Sequence, residues 1–114
     1  MKRKKKVLLK LTDIENNSIT WYDVFLKGFN SDYTKCQITR LKLAIKRVDN
    51  VIINIGNTMS NESYTEYIGK SGEPMFNGDS HVDIDLRIIN NEAQIVSKEP
   101  IDSDIEWDIK VIKN

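Results

Sequence analysis

The sequence predicts an all-β fold: an antiparallel β-sandwich or barrel built from six to eight short strands in a single domain spanning residues 1–114. Three observations carry this. Apolar and polar residues alternate with a period of two in several separate segments, the pattern of strands buried on one face. Turn-forming clusters of Asn, Asp, Gly and Ser separate these segments at short intervals. At 114 residues with 39% hydrophobic content, the chain can bury a core without disulfides or metals.

The elements follow in order. Lys6 to Thr12 alternates, with Val7, Leu9 and Leu11 on one face and Lys6, Leu8 and Lys10 on the other. Residues 1–5 ahead of it read as a frayed basic N-terminus. Glu15-Asn16-Asn17-Ser18 is a turn. Ile19 to Phe29 is rich in β-branched and aromatic residues and reads as a second strand. Residues 33–48 fit two patterns. Thr34, Ile38, Leu41, Ile45 and Val48 fall at helical spacing, so one amphipathic helix in an α+β fold is the alternative. Leu41, Leu43 and Ile45 alternate, and Thr34, Ile38, Thr39, Ile45 and Val48 are β-branched, which favours a strand. Asp49-Asn50 then sits between two apolar runs as a two-residue hairpin turn would.

Val51 to Ile55 is a short apolar strand. Residues 57–79 read as a long polar loop, with one short strand near Tyr64 to Ile68. His81 to Ile89 alternates cleanly, with Val82, Ile84, Leu86 and Ile88 on one face. Asn90-Asn91 turns into Ala93 to Val96, and Pro100 to Ser103 interrupts the chain. Asp104 to Lys110 places Ile105, Trp107, Ile109 and then Val111 inward, and Asp104, Glu106, Asp108 and Lys110 outward. Trp21 and Trp107 are expected to anchor the core.

The net charge of zero hides a split. Residues 1–48 carry 12 Lys+Arg against 4 Asp+Glu, and residues 49–114 carry 5 against 13. Either two charged faces meet different partners, or the two halves neutralise each other locally. Lys2, Arg3, Lys4, Lys5, Lys6, Lys35, Arg40, Lys42, Lys46 and Arg47 form the candidate polyanion-binding set. Against this, Lys4, Lys6 and Lys10 would face Asp104, Glu106 and Asp108 if the first and last strands were neighbours.

Chemistry-bearing constellations are few. Cys36 and His81 are the one cysteine and the one histidine. No disulfide forms within the chain, and neither residue lies in a nucleophile turn. Gly69-Lys70-Ser71 lacks the glycine that a phosphate-binding loop needs five positions earlier, where Tyr64 stands. Asp83 and Asp85, with Asp104, Glu106 and Asp108, are weak metal-ligand or glycosidase-pair candidates if their strands share a surface. The expectation is no catalytic residues, no cofactor and no resident metal. Tyr64, Tyr67, Lys70, Met75 and Phe76, set among small polar residues, combine large contact area with adaptable hydrogen bonding and form the candidate partner-binding loop.

No apolar run approaches membrane-spanning length, and the basic start lacks the apolar core of a secretion signal, so a cytoplasmic protein is expected. The 11 Asn, 16 Ile and 13 Lys residues suggest AT-rich codons, as in some bacteria and phages. The reading that follows is a small non-catalytic interaction protein of the inhibitor, immunity or assembly-factor kind. A protein is its expected partner, and an edge strand offers a route to oligomers. A nucleic-acid-binding module using the basic half, or a carboxylate- or calcium-dependent carbohydrate binder or hydrolase, are the alternatives.

Overall fold

The computed structural model describes residues 3–67, 69, 71–75 and 82–114, with side chains of 58–66 and 74–75 excluded. The chain forms β1 (Arg3–Leu11), β2 (Ser18–Phe29), β3 (Lys35–Val48), β4 (Val51–Tyr67), β5 (Pro74–Met75), β6 (Asp83–Ile89), β7 (Glu92–Pro100) and β8 (Glu106–Lys113). All pairings are antiparallel. They build two sheets, β1-β7-β6 and β5-β4-β3-β2-β8, consistent with a β-sandwich. No helix occurs among the described residues, so none is long and apolar enough to cross a membrane. The longest dimension, 52 Å, is close to the span of the 17-residue β4 at about 3.3 Å per residue.

Of residues 33–48, which fitted both patterns, Lys35–Val48 resolve as strand. β-branched residues lose more side-chain freedom in a helix than on a pleated sheet, where they also pack well against their neighbours. Asp49 and Asn50 both have positive φ, 51° and 64°. Val48 pairs with Val51 directly across them, so they form the mirror-image turn that matches strand twist. Asn90 and Asn91 repeat the device, at 51° and 57°, between the paired Ile89 and Glu92.

Between the sheets lies one core. Tyr22, Val24, Leu26, Leu41, Leu43 and Ile45 enter it from the five-stranded sheet, and Leu11, Ile84, Leu86, Ala93 and Ile95 from the three-stranded sheet. Leu9, Trp107 and Ile109 are partly buried against it. Val7 departs from its expected face: the ladder shifts between Val7 and Leu9, leaving Leu8 as an extra residue, and a bulge of this kind reverses parity along the strand.

Three expectations need correction, and one open question is answered. Trp21 does not anchor the core; it is 60% exposed on the outer face of β2, because Tyr22, Val24 and Leu26 occupy the inward parity. Residues 57–63 are strand rather than loop: β4 runs through them into the strand expected near Tyr64, ending at Tyr67, and pairs along β3 as far as Lys35. Arg3, Lys4 and Lys5 are not frayed but laddered with Pro100, Glu99 and Lys98. The first and last strands are not neighbours: β1 pairs with β7, and β8 pairs with β2.

Side-chain amides join the sheets. Gln37, 2% exposed, donates to the Val82 carbonyl at 2.9 Å and accepts from the Val82 N–H at 2.7 Å. At the hairpin end, Asn91 donates through Nδ2 to the Asn50 carbonyl and accepts the Ile52 N–H at 2.9 Å. Asn16 Oδ1 accepts the Asn50 N–H, and Arg47 donates to the Ile14 carbonyl at 2.6 Å. Lys113 reaches the loop after β1, donating to the Asp13 carbonyl at 2.8 Å. The buried Tyr22 hydroxyl donates to Asp13 Oδ1 at 3.0 Å.

Glu99 is a buried carboxylate at 1% exposure. It accepts from Ser97 at 2.7 Å, Ser103 at 3.0 Å and, weakly, Trp107 Nε1 at 3.4 Å. Gly28 makes room for that indole. A Cβ there would lie 2.8 Å from Trp107 Cζ3 and 3.1 Å from Ile105 Cγ2.

Two outcomes test this packing. Gly28→Ala should destabilise by about 1–3 kcal/mol through overpacking and shift Trp107 fluorescence, read by urea unfolding. An unchanged midpoint would show that the indole has room to move. Gln37→Leu should cost about 2–4 kcal/mol by leaving the buried Val82 N–H and C=O unpaired. Accelerated hydrogen exchange at the Val82 amide would identify the cause.

Candidate functional site

The outer face of the five-stranded sheet follows from the ladder register. Odd-numbered residues of β2 from Ile19 to Phe29, even-numbered residues of β3 from Cys36 to Val48, and even-numbered residues of β8 share that side. Here the sheet carries apolar residues where a solvated face would be polar. Ile19, Trp21, Val48, Val51, Ile53 and Ile55 are all more than two-fifths exposed. Ile19, Lys46 and Ile53 form one row across three strands, and Val48 and Val51 pair at the hairpin end. Ile55 is the extra residue of a β4 bulge, where the ladder steps from Ala44–Gly56 to Ile45–Asn54. Ala44 points outward but is 2% exposed, directly opposite Trp21.

Two hollows mark this face. The larger, about 700 Å³, is lined by Phe25, Ile38, Lys27, Arg40, Asp108 and Lys110 together with Leu26 and Thr39. The smaller, about 360 Å³, lies beside Ile19, Lys46 and Val48 at the hairpin end. Arg40 is fixed over the larger hollow. Its guanidinium sits 4.9 Å from the Phe25 ring centroid and donates to both Asp23 oxygens, at 2.9 and 2.6 Å. The hydrogen bond from Arg40 holds Asp23 below its ordinary value. Burial opposes this, and the charges of Arg40 and Lys42 add to the lowering. Lys27 and Asp108 face each other at 3.4 Å.

The polyanion set divides. Lys4, Lys5 and Lys6 lie on β1 in the other sheet, and Arg3 approaches Asp83 at 3.9 Å. Arg40, Lys42 and Lys46 lie on the outer face of β3. Lys35 meets Asp104 at 3.8 Å, and Arg47 is turned to the Ile14 carbonyl. Lys2 lies outside the described residues. The basic residues therefore do not converge on one surface.

The carboxylates separate as well. Asp83 and Asp85 belong to β6 in one sheet, whereas Glu106 and Asp108 belong to β8 in the other, with Asp104 just ahead of it. The shared five-carboxylate surface does not form, because strand order places β6 and β8 in different layers. Among the described residues, no group of three or more His, Cys, Asp or Glu side chains is placed to hold a metal.

Of the proposed binding loop, Tyr64 and Tyr67 are strand residues of β4, opposite Gln37 and Pro74, and Met75 lies on β5 opposite Glu66. The Tyr67 N–H donates to the Thr34 carbonyl at 2.6 Å. The side chains of Tyr64 and Met75, and residues Lys70, Phe76 and His81, lie outside the description. Cys36 is a free thiol whose Sγ lies 3.7 Å from the Tyr33 carbonyl.

The apolar outer face was the feature missed. Its signal was present in Val51-Ile52-Ile53-Asn54-Ile55, which is apolar at both parities, and in Trp21 standing out of phase with Tyr22, Val24 and Leu26. No family model, curated protein or solved structure matches the chain, so the functional reading rests on this surface.

The Asp23–Arg40 pair gives a pH test. A carboxylate with a lowered folded-state value adds stability above its unfolded value, lost as pH falls through the folded one. Arg40→Gln should raise the Asp23 titration midpoint and flatten the acid limb of the stability profile. Carboxyl-carbon NMR of both proteins would show it. Identical midpoints would mean that the guanidinium does not hold the carboxylate in solution.

Proposed function

We propose that this chain is a non-catalytic binding module that engages another protein through the outer face of the five-stranded sheet around Trp21. The observation that carries the reading is the exposed apolar group Ile19, Trp21, Val48, Val51 and Ile53 on one face of laddered sheet, with exposed Ile55 at the adjoining bulge. Contiguous apolar patches rimmed by polar residues mark interaction sites. Tryptophan and arginine are the side chains most often dominant in such interfaces. Lys42 and Lys46 stand at outward positions among these residues, which suits a partner whose apolar surface is fringed by carboxylates.

An inhibitor, immunity or assembly role in a cytoplasmic setting accords with this surface and with the free Cys36 thiol. The nucleic-acid reading loses its footing because its basic residues divide between two sheets. The carbohydrate or hydrolase reading loses its shared carboxylate surface.

Affinity capture from cells making the protein at native level tests the proposal. Wild type and Lys98→Glu, altered on the other sheet, should recover the same stoichiometric protein. Trp21→Ala and Ile53→Lys should lose it while keeping their melting temperatures. Recovery of that protein by all four, or of no stoichiometric partner by wild type, would overturn the reading.

A further inference from the structure

We infer that β8 is a self-complementary edge through which two copies of this chain pair, antiparallel and in one register, to make the five-stranded sheets continuous. This does not rest on the binding face around Trp21.

Exposed edges carry unpaired backbone groups and invite strand addition unless blunted. Three of the four edges here are blunted. β1 is lysine-rich and bulged at Leu8. At the far side of the larger sheet, β5 covers β4 only at Glu66 and Tyr67, and the uncovered length of β4 is bulged twice, at Ile55 and Glu62. β6 carries exposed Asp83 and Asp85, and Asp85 Oδ1 accepts the Leu86 N–H at 2.8 Å. β8 differs. It pairs with β2 without any register shift, contains no proline, and among the described residues meets no strand on its other side.

The hydrogen-bonding phase of β8 is fixed by its last pair. Trp21 and Asn114 exchange both backbone hydrogen bonds, at 3.1 and 2.8 Å. Such pairs alternate along an antiparallel ladder. Glu106, Asp108, Lys110 and Ile112 therefore bond inward to β2. Trp107, Ile109, Val111 and Lys113 present their N–H and C=O groups at the free edge. A two-fold pairing through these groups must bring odd residues opposite odd residues.

Charge then selects the register. β8 is acidic in its first half, at Glu106 and Asp108, and basic in its second, at Lys110 and Lys113. With Ile109 opposite Ile109 of the second copy, Asp108 faces Lys110 twice, and Trp107 faces Val111 twice. Moving the pairing by one ladder step sets Asp108 against Asp108; the opposite step sets Lys110 against Lys110. Like charges directly opposed are destabilising, while opposite charges and apolar pairs support the ladder. One central register survives. It also adds cover for Val111, which points inward on this strand yet is 37% exposed.

Sedimentation equilibrium over a wide concentration range tests this, with near-UV circular dichroism confirming native packing in every variant. Wild type should approach twice the 13.2 kDa of one chain as concentration rises. Lys110→Glu should shift the dissociation constant at least tenfold toward monomer. The double change Asp108→Lys with Lys110→Glu should restore dimer. Val111→Pro, which removes one outward N–H at a place where an edge strand tolerates proline, should be monomeric. A wild type that stays monomeric at the highest concentration overturns the inference, as does a dimer indifferent to Lys110→Glu. A double variant that fails to recover overturns the register.

Discussion

The two sheets share no backbone ladder, so their relative placement depends on side-chain amides that imitate one. Gln37 offers Val82 both a donor and an acceptor, as a neighbouring strand residue would. Asn91 does the same for the Asn50 carbonyl and the Ile52 N–H at the opposite end. Apolar burial supplies the larger favourable free energy but is non-directional. These paired amides are directional, and at the buried Gln37–Val82 contact an unmet partner costs more than a met one contributes. They set which inward rows face each other, and so which face of the larger sheet is left outward. Asparagine is doubly suited at the hairpin end. It tolerates the positive φ of a mirror-image turn and carries the amide that reaches the other hairpin.

Much of this fold was legible because period-two alternation reports burial directly. The segments 82–88 and 104–111 show it plainly, and β-branching decided for strand at 33–48. Residues 57–63 were not legible. Asn57, Thr58, Ser60, Asn61 and Ser63 carry almost no apolar signal, and their strand is held by the backbone ladder to β3, which no side-chain pattern encodes. Neighbour choice was not legible either. Alternation says which side of a strand is buried, not which strand lies next to it. The charged rows of β1 and β8 therefore looked complementary although the two strands belong to different sheets. The exposed face around Trp21 was half legible. Aromatic residues read as core by type, and phase alone would have put Trp21 on the other side from Tyr22.

The charge split between the halves resolves in space into local pairing. Arg3 with Asp83, Lys10 with Glu92, Lys27 with Asp108 and Lys35 with Asp104 each join a cation of the first half to an acid of the second. Lys113 with Asp13 runs the other way. Exposed pairs of this kind contribute little stability each. Their larger effect is local: each sets an acid beside a cation that would otherwise add to a basic surface. What distinguishes the molecule's surface is then an apolar face, and a sandwich whose solvated sheets should alternate has no structural need of one.

The phase of β8 bears on how such a face would act. Antiparallel partners in one ladder keep their matching side chains on the same side of the sheet, so a two-fold axis through Ile109 stands perpendicular to the sheet. Two copies joined there would turn both Trp21 faces toward the same side, with the two β8 strands between them at about 4.8 Å per strand. Binding of one face to a repetitive or dimeric partner would make the second engagement intramolecular, raising avidity without any new contact. An axis lying in the sheet plane would turn the two faces apart and forbid this. The outward amides of Trp107, Ile109 and Val111 thus link the edge of the sheet to the valency of its surface. The link is geometric: alternation of hydrogen-bonded pairs fixes which groups are free, and those groups fix the symmetry.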